Sequence, residues 1–187
     1  MAVVTTEARG FLPYGRGLTR ADLEAAPDDG HRYELIDGVL VVTPAPRIRH
    51  QDAVLNIAVI VRAVMPDRLK VMVAPVDVVL AEDTVIQPDL LVAPPDAFTE
   101  SDLPGAPLLA VEVLSPSTRG FDLLLKKYRL ERAGCPHYWV VDPDEPSVIA
   151  WDLADGVYRE VAHAVGTELF EVASPFPVSF APASLIA

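Results

Sequence analysis

Leu108-Leu109-Ala110-Val111-Glu112-Val113-Leu114 is a continuous apolar run broken by one acid. A run of this kind, apolar at successive positions, marks a strand covered on both faces, at the centre of a sheet. Glu112 does not belong in such a strand. An unpaired ionised carboxylate costs several kcal/mol in an apolar interior, so it is paired, protonated or bound to metal. Strand alternation puts Glu112 on one face with Ala110 and Leu114. A salt bridge or an edge position is the plain alternative.

Working outward, Gln87-Pro88-Asp89 opens the apolar Leu90-Leu91-Val92. Alone, Asp89 reads as a turn carboxylate. Beside Glu112 it gains another use. Two acids on neighbouring strands can converge on a hard cation, with waters and a strand carbonyl, here that of Val113, filling other positions. On the other side, residues 120–133 read as a helix: Phe121, Leu124, Leu125 and Tyr128 share one face, and Asp122, Lys126 and Arg129 another. Packed back over the sheet, that helix would carry Lys126 toward the carboxylates, where an ammonium could hold a water or stabilise an oxyanion. A solvated lysine is the alternative.

Upstream, two β-prone runs flank Asp37-Gly38, a dipeptide that accepts the positive φ angles of a tight hairpin turn, and Glu34 lies in the first of them. The segment from His50 to Met65 is long and mostly apolar, which predicts a helix buried on most sides. His50 at its start could be a base, a phosphate contact or simply a polar helix-start residue. Thr19 looks like the N-cap of a short earlier helix. Further strands are expected near 69–73, 76–80, 137–141, 147–153 and 157–162, with a loop over 93–106. The order of elements predicts an α/β chain, one mixed sheet with helices on its faces. Residues 1–18 read as a loose N-terminal arm and 19–187 as one domain.

Composition removes several classes. No apolar run approaches ~18 residues, so no membrane span is expected. A lone cysteine, Cys135, cannot form an internal disulfide and suits a reducing compartment, the cytoplasm. Cys135 and His137 alone do not make a zinc site. No Gly-rich phosphate loop or nucleophile elbow occurs. Aromatic residues at 7% give little support to a glycosidase cleft. The net charge of −12 argues against a general nucleic-acid coat. Its distribution softens that point. Between Lys70 and Arg119 there is no Lys or Arg, while Arg47, Arg49 and His50, and Arg119, Lys126, Lys127, Arg129 and Arg132, gather on the helices bordering the acids.

Taken in order, Tyr33-Glu34-Leu35-Ile36-Asp37-Gly38, Arg49-His50-Gln51, Gln87-Pro88-Asp89-Leu90, Glu112-Val113-Leu114-Ser115-Pro116-Ser117-Thr118, Asp122, Lys126 and Gly134-Cys135-Pro136-His137-Tyr138-Trp139 resemble the Uma-two family. That bacterial family of restriction-endonuclease-like proteins is assigned to the PD-(D/E)XK superfamily. The resemblance runs from about residue 19 to 160. It implies a restriction-endonuclease-like core: a mixed central β-sheet flanked by α-helices, with an N-terminal β-hairpin and a Mg²⁺ or Mn²⁺ site. By the same resemblance, Asp89 and Glu112 are the motif acids, and the Val113 carbonyl proposed above would join them as a third metal donor. The superfamily pattern has Lys two residues after the glutamate. Leu114 stands there, and Lys126 matches the family position on the next helix. Glu34 and His50 match further family positions; Glu34 is expected to complete the catalytic set, and His50, Gln87, Arg49 and Arg119 are the candidate substrate contacts.

The expected activity is metal-dependent hydrolysis of DNA phosphodiester bonds. A catalytically weak or inactive protein of the same fold that binds DNA or a protein partner is the alternative, to which Leu114 and the acidity lend weight. The apolar excess on the His50–Met65 helix suggests a homodimer.

Overall fold

The structure, a computed structural model, describes residues 15–27, 29–115 and 120–186. Residues 1–14 of the expected arm and residues 116–119, Arg119 among them, lie outside the described residues. Two mixed sheets organise the rest. The larger has six strands: β3 (Lys70–Val73), β6 (Leu90–Ala93), β8 (Leu109–Val113), β9 (His137–Asp142), β10 (Ser147–Ala154) and β11 (Val157–Val165). Their spatial order is β11-β10-β9-β8-β6-β3. β8 runs parallel to β9 and antiparallel to β6. The smaller sheet has order β2-β1-β5-β4-β7, from β1 (Arg32–Ile36), β2 (Val39–Thr43), β4 (Asp77–Ala81), β5 (Thr84–Ile86) and β7 (Asp102–Pro104). A separate pair joins β12 (Phe170–Val172) and β13 (Val178–Phe180).

All five residues of β8 are buried. Leu109, Val111 and Val113 face one apolar cluster, with Leu90, Val92 and Trp139. Helix α2 (Ile48–Val64) closes that side through Ala53, Ile57 and Val61, spaced four apart on one helical stripe. Ala110 and Leu114 face the other cluster, with Ile36 and Ile86 of the small sheet and Leu130 of helix α3 (Lys127–Arg132). Glu112 shares that second face by alternation and pairs in register with Val140. The anomalous acid therefore points between the two sheets, toward β1 and the α3 side.

Helix α1 (Arg20–Glu24) begins after Thr19, whose backbone N–H donates to Asp22 Oδ2 at 2.8 Å. The hairpin of β1 and β2 turns on Asp37 (φ 55°) and Gly38 (φ 72°), as the dipeptide predicts. The helix expected over 120–133 forms in two parts. Phe121–Lys126 is π-helical, with the wider i→i+5 turn, and α3 continues it. Gly134, at φ 82°, ends it.

Three expectations need correction. The strands divide between two main sheets instead of one, because β5 and β7, three residues each, complete the smaller sheet. Strands that short carry no readable periodicity, and β7 falls within the stretch expected as loop. β11 runs on to Val165, and β12 and β13 follow it. Finally, α2 is buried along one stripe only: Ile48, Leu55 and Val59 are exposed at 81%, 64% and 61%.

Candidate active site

Four elements deliver the site. β1 brings Glu34, the turn into β6 brings Asp89, β8 brings Glu112, and the last π-helical residue is Lys126. All four are buried. Lys126 Nζ donates to Glu34 Oε1 at 2.9 Å and to Glu112 Oε1 at 3.1 Å. The Gln87 backbone N–H donates to the same Glu34 oxygen at 2.7 Å. Asp89 Oδ2 accepts the Val113 backbone N–H at 2.9 Å and lies 3.2 Å from His50 Nε2. The expected meeting of Asp89, Glu112, Lys126 and Glu34 occurs, with His50 on its rim.

Arg32 joins them, and the sequence reading passed over it. Its guanidinium donates to Asp89 Oδ1 at 3.1 Å and to the Gln87 carbonyl at 2.6 Å, and lies 3.9 Å from Glu34 Oε2. The signal was present: Arg32 stands two residues before Glu34 on one strand, hence on the same face. Burial opposes the Arg32 charge, but Glu34, Asp89 and Glu112 together hold its pKa above the ordinary arginine value. Burial likewise opposes ionisation of Asp89. The contact with His50, and the charges of His50, Arg32 and Lys126, outweigh it and lower the carboxyl to about 2.

Three carboxylates thus share one buried site with two fixed cations, Lys126 and Arg32. Burying so many charges is costly, and mutual attraction repays it only where geometry and hydrogen bonds are good. The carboxylates are hard oxygen donors, the ligand type suited to Mg²⁺ or Mn²⁺. Among the described residues no group of three or more His, Cys, Asp or Glu side chains is placed to hold a metal by itself. Mg²⁺ does not demand one, because it keeps several waters and uses one or two carboxylates plus substrate phosphate. Asp89 and Glu112, on antiparallel neighbours, fit that smaller requirement. The Val113 carbonyl lies on the strand edge whose amide already meets Asp89.

The carboxylates open on a cleft of about 410 Å³, also lined by Thr43, Pro44, Arg47 and Ser115. Arg47 is the N-cap of α2, so the positive end of a helix faces the acids. Arg49 is exposed on the first turn of α2, away from the acids' contacts. Gln87 enters through its backbone, while its side-chain Nε2 donates to Asp77 Oδ1 at 2.7 Å. Cys135 is buried, its thiol pushed up to about 11 by desolvation, and His137 Nδ1 lies 2.6 Å from Asp152. Neither forms a nucleophile pair with the other.

The profile of the family described as "Uma2: Putative restriction endonuclease" matches residues 20–185. The crystal structure of a "putative nuclease belonging to DUF820" from Anabaena variabilis is similar, with a TM-score of 0.71 and 18% identity. The match covers 90% of this chain and 97% of that one. At that identity the likeness speaks for the fold. No curated protein matches this chain.

Proposed function

This chain belongs to the Uma2 family of restriction-endonuclease-like proteins, and from that membership we propose that it hydrolyses DNA phosphodiester bonds at the cluster of Asp89, Glu112 and Lys126. One observation carries the reading: Lys126 reaches Glu112 from the following helix, at 3.1 Å, supplying the ammonium that Leu114 does not.

Asp89 and Glu112, with the Val113 carbonyl, would hold Mg²⁺ or Mn²⁺. A bound divalent ion supplies a water activated at neutral pH and neutralises charge at the scissile phosphate. The protein's own groups do the positioning. Glu34, itself held by the Gln87 amide, fixes Lys126, whose ammonium orients the attacking water or meets the developing oxyanion. Arg32 and His50 hold Asp89 ionised. Arg47 and Arg49 at the start of α2, His50, Gln87 and Arg119 take the substrate backbone and its neighbours. The lone, buried Cys135 suits a reducing cytoplasm. No helix among the described residues is long and apolar enough to cross a membrane.

Plasmid nicking tests the reading. Wild type should nick in Mg²⁺ and stop in EDTA, and Glu112→Ala should abolish nicking while keeping the wild-type circular dichroism spectrum. Undiminished nicking by Glu112→Ala removes Glu112 from the mechanism. The ion pairs already made by the three carboxylates favour a second reading, a non-catalytic DNA- or partner-binding protein. Calorimetric titration separates the two, since no Mn²⁺ binding at millimolar concentration would leave only the second.

The exposed apolar stripe of Ile48, Leu55 and Val59 on α2 supports a homodimer, which would also suit cutting both strands of a duplex. Light scattering should give twice the monomer mass for wild type and the monomer mass for Leu55→Glu.

A further inference from the structure

A second cleft, of about 480 Å³, adjoins the first and shares with it the wall made by Gly30, Arg32, Pro46, His50 and Asp89. We propose that this cleft receives one unpaired nucleobase of the substrate, next to the scissile phosphate. The proposal rests on the DNA reading above and deepens it, naming the substrate class as a strand with an unstacked nucleotide at the cut.

Position is the first argument. A group seated beyond Arg32 and His50 is a near neighbour of whatever the carboxylates hold. Only the base attached to an adjoining nucleotide meets that condition while the backbone stays in the first cleft. Size is the second, since the volume falls in the range of small-molecule pockets, ~300–1,000 Å³.

The lining is the third. Tyr33, Pro27, Val54 and Pro75 offer flat or apolar surface, on which a base face stacks irrespective of sequence. Opposite chemistry stands at one edge, where Gln87 and Asp77 line the same cleft. Gln87 Nε2 is spent on Asp77, while Gln87 Oε1 is buried with no hydrogen-bond partner among the described residues. A carbonyl in that state calls for a donor, and the ring N–H and exocyclic amine groups of bases are donors.

Charge is the fourth. The fixed charges lining this cleft are Arg32 against Asp77 and Asp89, an unfavourable setting for a phosphate and an indifferent one for an uncharged ring. The two clefts thus divide the nucleotide: phosphate to the metal-suited side, base to the apolar side. A base enters only after it leaves its stack, which is cheapest in a single strand or at a mismatch.

Photo-cross-linking tests the assignment. A single-stranded oligonucleotide carrying one 4-thiothymidine is irradiated with the full chain in millimolar Ca²⁺, a hard cation for the same oxygen donors, total binding is read by gel shift, and cross-linked peptides are mapped by mass spectrometry. Cross-links at Tyr33, Gln87 or Pro75 are expected. Ala26→Trp, which fills the cleft from its outer lip, should lower them about tenfold, in line with the loss of one stacked base, with total binding retained. If Ala26→Trp fails to fold, Val73→Trp, at an exposed position lining the same cleft, serves in its place with the same expected loss. DNA bound but cross-linked only elsewhere, or cross-links unchanged in the folded variant, would overturn the base pocket and leave the nuclease reading standing. No gel shift at all would sink the DNA reading itself.

Discussion

Lys126 is the residue on which the site turns. It is buried between Glu34 and Glu112, and removing one member of a buried charge network leaves its partners uncompensated. Lys126→Met should therefore cost about 3–5 kcal/mol in urea unfolding. Millimolar Mg²⁺ should stabilise this variant more than wild type, because the two bared carboxylates repel each other. Stabilisation of neither protein would argue against a cation site there. Cys135 gives a contrasting case. Burial raises its thiol from the usual 9.0 to about 11, so the folded chain holds the proton that the unfolded chain loses. That contribution to stability is complete below about pH 9 and disappears as the pH climbs through 11. The folded protein should resist iodoacetamide at pH 8 and react fully in denaturant, as mass spectrometry would report. Rapid alkylation of the folded chain would contradict its burial. At this scale much was legible. Glu112 betrayed itself as a charge inside an apolar strand, and Asp89 and Lys126 followed from strand adjacency and helix face. Arg32 escaped notice because a charged residue at the start of a hairpin strand looks like ordinary surface.

Among the elements, the hairpin of β1 and β2 does more than its size suggests, since β1 carries both Arg32 and Glu34. Its turn is tightly constrained. Gly38 sits at φ 72°, and an added Cβ would lie 3.1 Å from Gly17 Cα and Leu18 N, both backbone atoms. Gly38→Ala should destabilise by at least about 1–2 kcal/mol, the cost of a left-handed L-residue alone. Urea titration checks this, and an unchanged midpoint would refute the close approach. The Asp-Gly signal made this hairpin readable from sequence. The π-helical turn before α3 was not readable, because apolar spacing of 3, 4 and 7 says helix without distinguishing the wider turn that ends on Lys126. The three-residue strands β5 and β7 were lost for a different reason: their pairing is set by the neighbouring strands β1 and β4.

For the whole molecule, the charge of −12 and a site for a polyanion have to be reconciled. Phosphate contacts need local positive charge. The described cations nearest the site, Lys126 and Arg32, are both engaged with carboxylates. Among the described residues, Arg47 and the N-terminus of α2 remain on the cleft side to meet a strand. The account therefore makes a divalent ion the missing positive charge, held by Asp89 and Glu112, with binding and cleavage both dependent on it. The sheet order could not be read from the sequence, yet the site could, because it is assembled from adjacent strands and the helix that follows them. A crystal soaked in Mn²⁺, with its anomalous scattering mapped, tests this claim most directly. The account predicts a single strong peak bridging the carboxylates of Asp89 and Glu112 beside the Val113 carbonyl, with Lys126 still within reach of Glu112. A map with no peak between those two side chains, or with manganese only at surface acids, would contradict it.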